Sequence, residues 1–219
     1  MPSRHDLTEL RHEIARVSRT LAGMGILDPF GHVSVRHPRN PNRYLMARWQ
    51  LAARLVADDI IEFDIDSSPV YDNSLELDPE RVIDGCIYQM RPEVGAVCHH
   101  HANAIMPFCI AGVSPPTVPG QDLLSNPIPI WDSHAQFGDT GLWVTTAKEA
   151  ISLAETLGSH MAILLARHGA TVVGYDLNDL TSRTIQMCAN ADALARTRTL
   201  QCVSGSGPDN LWMSRGPLA

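Results

Sequence analysis

Val94-Gly-Ala-Val-Cys-His-His-His101 is a short apolar run that ends in three consecutive histidines. Successive side chains of a strand point to opposite faces, so His99 and His101 share one face, while Cys98 and His100 take the other. Two imidazoles on one face can meet a single ion. This ligand type and close spacing are those of zinc, manganese, iron or cobalt sites, which draw further ligands from elsewhere in the chain. An HxH pair alone is also compatible with two half-exposed strand histidines. A second apolar run, Met161 to Ala166, ends in Arg167-His168-Gly169. It places His168 at the end of another buried strand and makes it the third candidate ligand, with Gly169 permitting a sharp exit.

Outward from these two runs, Leu7, Leu10, Ile14, Val17 and Leu21 recur at helical spacing and predict an opening amphipathic helix that stops near Gly23 and Gly25. His32–Arg36 and Arg43–Ala47 read as a hairpin around HPRNPN, and Asp59–Ile65 as a further strand. Asp78-Pro79-Glu80 is a helix start: Asp suits the N-cap, Pro the first helical position and Glu the first turn. That helix is expected to reach about Arg91. An acid in a first turn also stabilises the helix dipole without any chemistry, so spacing alone does not select Glu80. Helices are expected over Ala102–Ile110, Ala147–Leu157 and Leu177 to about Leu200, and an edge strand over Ile128–Trp131. The Pro-rich segment Ser114–Pro129 is the longest irregular stretch. Residues 1–202 read as one domain and 203–219 as a flexible tail.

Composition narrows the function. The chain has 219 residues, 44% hydrophobic and 19% charged, with no apolar run long enough to span a membrane. The formal charge of -7 and the lack of a basic cluster argue against nucleic acid and for a small-molecule ligand. The first residues lack the apolar core of a secretory signal, which implies a cytoplasmic location. The five cysteines, Cys86, Cys98, Cys109, Cys188 and Cys202, never form a CxxC pair and read as reduced, mostly buried residues. His5, His12 and His37 lie in polar surroundings and are expected at the surface. His134 in WDSHAQFGD suits either a loop ligand or a hydrogen-bonded loop residue.

Gly31-His-Val-Ser-Val-Arg36, Glu80 with Tyr88-Gln-Met-Arg-Pro92, His99-His-His101 and His168-Gly169 together resemble the class II aldolase/adducin family from the first helix to about Thr199. The resemblance implies an α/β fold: three layers, α/β/α, around a mainly antiparallel sheet. It also implies one divalent transition metal per subunit, Mn or Zn and alternatively Fe or Co, and a homotetramer with sites at subunit interfaces. The metal ligands it implies are His99, His101 and His168. An acid 19 residues before the first histidine, Glu80 here, would act as a further ligand or as acid/base.

The chain departs from the sugar-phosphate members in an informative way. They carry GN where this chain has Gly31-His32, a Ser/Thr-Gly phosphate loop where it has Ala47-Arg48-Trp49, and SSE where it has Asp78-Pro79-Glu80. Phosphate cradles use backbone N–H groups, small hydroxyls and glycines, whereas a bulky Trp and a cationic Arg suit a flat anion. GHVSVR, Pro129-Ile-Trp-Asp132 and Phe137-Gly-Asp-Thr140 are similar to a branch that decarboxylates hydroxylated aromatic dicarboxylates, among them 3-hydroxy-2-methylpyridine-4,5-dicarboxylate and 3,4-dihydroxyphthalate. The resemblance therefore implies a metal that stabilises enolate-like charge as CO2 leaves, with Glu80 or His32 supplying or relaying the proton. Arg36 or Arg48 would clamp a carboxylate, and Arg36 can equally be a structural strand residue. A sugar-phosphate aldolase or epimerase, a non-haem iron oxygenase and a non-catalytic adducin-like interaction module are the other readings.

Overall fold

In the computed structural model, which describes residues 4–71, 74, 76–116 and 127–204, seven strands form one sheet with the order β3-β2-β1-β4-β7-β6-β5. The strands are β1 (His32–Arg36), β2 (Arg43–Ala47), β3 (Ile60–Asp64), β4 (Ala96–His100), β5 (Ile130–Trp131), β6 (Ala162–Leu165) and β7 (Gly169–Gly174). All neighbouring pairs are antiparallel except β5 with β6, so the short β5 is an edge strand in parallel register.

Helices cover both faces. On one, α1 (Arg4–Gly23), α3 (Met106–Ala111) and α6 (Leu177–Ser204) bury Ile14, Leu21, Phe108 and Leu180 against Leu45, Cys98, Leu164 and Val172. On the other, α2 (Val82–Met90) and α5 (Ala147–Leu157) bury Ile83, Ile87 and Leu153 against Tyr44, Val97, Ile163 and Val173. The sheet residues alternate between the two clusters along each strand, as a period of two requires. Burying each large aliphatic side chain contributes roughly 1.5 to 3 kcal/mol. The result is the expected three-layer α/β/α arrangement.

Three local expectations shift. The Asp78 side chain does accept from the Glu80 N–H, but Pro79–Arg81 forms a 3-10 turn before α2 begins. The Arg81 side chain occupies the Asp78 carbonyl at 2.8 Å, and the Arg81 N–H also bonds that carbonyl, which tightens this turn. The helix expected over Ala102–Ile110 is confined to α3, which closes on Gly112 in the left-handed conformation (φ 64°). Strand β7 was not expected from the sequence at all: GATVVG is short and bounded by glycines, yet it pairs on both sides. Most of the Pro-rich stretch, and positions 205–219 of the expected tail, lie outside the described residues.

Candidate metal centre

Strand register builds the site. His32 on β1 lies opposite His99 on β4, and His99 opposite Thr171 on β7, giving a polar row across three strands on the α2/α5 face. His101 follows two residues after His99 on that face, and the turn joining β6 to β7 delivers His168. Glu80 enters from the 3-10 turn before α2. One ligand atom from each of Glu80, His99, His101 and His168 lies within 4.8 Å of the others. His99 Nε2 stands 3.0 Å from His101 Nε2 and 3.6 Å from Glu80 Oε2, and His168 Nε2 stands 3.4 Å from Glu80 Oε1.

The expected role of Gly169 is corrected. The left-handed residue of this turn is Arg167, with φ 62°. Gly169 is needed for close approach instead, since a Cβ there would lie 2.5 Å from the His100 carbonyl oxygen and 2.6 Å from the His101 ring.

The surroundings fix which imidazole nitrogens face inward. Asp28, whose oxygens stand 3.1 and 3.2 Å from His101 Nδ1, can only accept, so His101 carries its proton there and turns the Nε2 lone pair into the cluster. His99 Nδ1 is held by Thr171 Oγ1 at 3.0 Å. Burial pushes the His99 pKa down to about 3, which keeps the ring neutral with a free lone pair. Two ring nitrogens 3.0 Å apart, beside a carboxylate, form a donor set suited to a divalent ion with nitrogen and oxygen preference. Burial raises the Glu80 pKa, but His168 and His99 outweigh it and hold the carboxyl far below its usual range. The Val144 N–H also donates to Glu80 Oε1 at 2.9 Å.

His32 lies behind this cluster, its ring 5.6 Å from that of His99. Its Nδ1 meets Asp78 Oδ2 at 3.0 Å and its Nε2 meets Asp84 Oδ2 at 2.8 Å. Burial lowers the His32 pKa, yet the two carboxylates overcome it and raise the pKa well above the ordinary value, so the ring is a held imidazolium. Asp84, fully buried, also accepts from Ser34 Oγ at 2.5 Å, and Ser34 in turn contacts the Tyr88 hydroxyl at 2.8 Å.

The structure separates the two candidate arginines. Arg48 shares a small recess with Gly31, His32, Trp49 and Asp78, and its Nε and Nη2 bond Asp59 Oδ1 at 3.0 and 2.7 Å. Arg36 is not brought there. Its guanidinium donates to the carbonyls of Val94, Pro41, Tyr88 and Arg91 and lies 4.7 Å above the Tyr88 ring. These contacts are those of a structural strand residue, one of the two readings the sequence leaves for Arg36. His37 is also corrected: it is buried, its Nδ1 accepting from the Arg39 and Asn40 N–H groups of the β1–β2 turn. His12 is exposed, and the side chain of His5 lies outside those described. His134 is exposed on the short helix α4 (Ser133–Phe137), outside the cluster. Cys86, Cys98, Cys109 and Cys188 are buried free thiols, and burial raises the pKa of each.

Sequence reading missed Asp28, Ser34, Asp84 and Thr171. Asp28-Pro-Phe-Gly31 carries a turn signature, and the Asp28 side chain does accept from the Phe30 and Gly31 N–H groups. Its link to His101 is tertiary. The alternation His32-Val-Ser34-Val-Arg36 marks one polar strand face, which was the available signal for Ser34.

The profile of the class II aldolase and adducin N-terminal domain matches residues 12–194. The chain belongs to this family. Among curated relatives, the decarboxylase tropJ of Talaromyces stipitatus is 30% identical over 197 residues, covering 83% of this chain and 74% of that protein. The 3,4-dihydroxyphthalate decarboxylase of Arthrobacter keyseri is 26% identical over 211 residues, covering 90% and 80%. Among solved structures, YgbL of Escherichia coli, described as a putative aldolase/epimerase/decarboxylase, superposes with a TM-score of 0.73 at 19% identity, covering 87% of this chain and 90% of that one. The L-fuculose-1-phosphate aldolase of Thermus thermophilus gives 0.72 at 24% identity, covering 92% and 98%. These two structures establish the shared fold. Among the described residues, no helix of this family member is long and apolar enough to cross a membrane.

Proposed function

We propose that this chain is a divalent-metal-dependent carboxy-lyase acting on a hydroxylated aromatic dicarboxylate, with a pyridine or benzene ring. The observation that carries the reading is the clustering of Glu80, His99, His101 and His168, the first two buried, with His32 standing between this donor set and a small recess lined by Arg48 and Trp49. Decarboxylases among the relatives support it. The donor set favours Mn or Zn, with Fe and Co inside the same ligand preference.

Decarboxylation breaks the bond between the ring carbon and its carboxylate, releases CO2, and leaves an electron pair that must be delocalised and then protonated. A divalent ion held by Glu80 and the three histidines would supply the Lewis acid for that electron pair. Arg48, fixed along one edge by Asp59, presents its guanidinium to the recess and holds a substrate carboxylate. His32 keeps a proton at Nδ1 against Asp78, and Asp78 lines the recess, so this pair relays the proton to the ring carbon. Asp84 keeps His32 charged and oriented from behind. Glu80, strongly acidic, serves as a donor ligand rather than as the acid. The assembly we propose is the homotetramer that the family implies.

The test is to purify the protein, quantify its bound metal, and follow CO2 release from 3,4-dihydroxyphthalate and from 3-hydroxy-2-methylpyridine-4,5-dicarboxylate. CO2 release that chelation abolishes and metal restores is the expected result. Metal-loaded protein that releases no CO2 and cleaves a ketose 1-phosphate would assign the site to an aldolase. A protein that binds no divalent metal would return the chain to the interaction-module reading.

A further inference from the structure

Aromatic residues make up only 5% of this chain, yet three of them converge at the rim of the candidate site with much of their surface in solvent. Phe30, Trp49 and Trp143 remain 43%, 42% and 39% exposed. The two indoles are close to parallel, 28° apart with centroids separated by 6.5 Å, and Phe30 presents its edge to both at 6.4 and 5.5 Å. Three part-exposed rings in mutual contact form the kind of contiguous apolar patch that marks a ligand or partner surface, whereas Trp131 is buried.

Each ring is tied by its backbone to the site. The Asp28 carboxylate that holds His101 also accepts the Phe30 N–H, at 3.1 Å. Trp49 follows Arg48 directly. Trp143 immediately precedes Val144, whose N–H donates to Glu80. The residue before Trp143, Leu142, adopts φ 70°, a left-handed conformation that costs a non-glycine residue stability and persists only where the surroundings enforce it. Backbone strain thus goes into presenting an exposed indole beside a buried acid.

We propose that Trp49 and Trp143, braced by the edge of Phe30, form a stacking clamp for the aromatic ring of the substrate and select flat acids over saturated ones. The clamp rests on the carboxy-lyase reading for its choice of ligand and goes beyond it in assigning specificity to three rings outside the donor set. Stacking on an indole face favours any planar π-system, while the neighbouring Arg48 favours those bearing a carboxylate.

Equilibrium dialysis of the metal-loaded protein with 3,4-dihydroxyphthalate and with cyclohexane-1,2-dicarboxylate tests the clamp, with metal content and circular dichroism checked for every variant. Trp49→Leu and Trp143→Leu should each weaken binding of the aromatic acid about three- to tenfold. Trp49→Phe and Trp143→Phe should retain most of it, and the saturated acid should bind all variants as it binds the wild type. Leu variants that bind the aromatic acid like the wild type, or that lose both acids equally, overturn the proposal. So does a wild type that binds neither acid. Leu variants that shift to a smaller species on gel filtration while binding the aromatic acid unchanged would assign the rings to a subunit contact and also overturn it. CO2 release is measured separately. Selective loss of aromatic binding in a protein that makes no CO2 keeps the clamp and removes the carboxy-lyase reading. CO2 release with unaltered binding in the Leu variants does the reverse.

Discussion

Strand β1 carries two basic side chains, His32 and Arg36, on one face, four residues and roughly 13 Å apart at the usual strand rise. Both sit over α2, both are withdrawn from solvent to some degree, and both are candidate site residues in the sequence. Their partners differ in kind. His32 is bracketed by two carboxylates, Asp78 and Asp84, next to the donor cluster. Arg36 is spent on four backbone carbonyls of the segments that close the other end of the strand. Tyr88 joins the two ends, its ring beneath Arg36 and its hydroxyl on Ser34. A cation whose donors all face carbonyls braces loops. One held by carboxylates beside the cluster of Glu80 and three histidines stands where our proposal needs a proton.

Breaking the chemical end at its ligands should give the largest effect. His99→Ala and His168→Ala should retain no metal through dialysis and show turnover at background, while circular dichroism stays that of the wild type. A variant that kept stoichiometric metal would remove the distinction between the two ends.

Next comes the support behind His32. Asp84→Asn leaves a buried imidazolium short of one carboxylate and also weakens the Ser34 contact. Breaking a buried pair in this way costs about 3 to 5 kcal/mol, to be read from urea denaturation. A loss below about 1 kcal/mol would mean that His32 is not held as a cation.

Asp28→Asn probes the orientation of His101 and should lower metal affinity roughly 10- to 100-fold, measured by competition with a chelator of known affinity. Unchanged affinity would show that His101 is oriented without Asp28.

The smallest effect belongs to the bracing end. Arg36→Met should cost about 1 to 2 kcal/mol of stability, since water can reach part of the freed carbonyls, with kcat and KM of the folded protein unchanged. A raised KM for the dicarboxylate at unaltered stability would return Arg36 to the substrate site.

Much of this organisation was legible in the sequence. Strand parity alone places His99 and His101 together and Cys98 and His100 apart, because it depends only on the two-residue repeat of an extended chain. The apolar run before His168 locates that residue at a strand end for the same reason. The helix start at Asp78-Pro79-Glu80 is equally local, although the side chain of Arg81 tightened its first turn. Glu80 is different. Helical capping explains it fully, and only the family pattern singled it out before the structure brought its carboxylate to the histidines.

What the sequence by itself determined, then, were the features written in short-range periodicity and turn chemistry: most of the elements and the shared face of His99 and His101. Tertiary structure alone decided that β7 joins the sheet, that Asp28 reaches His101, that His32 lies between two acids, and that Arg36 serves loops while Arg48 faces the recess. The physical reason is that a long or charged side chain takes its role from its hydrogen-bond partners. Here those partners come from segments tens of residues away, placed only when the sheet and its two helical layers pack.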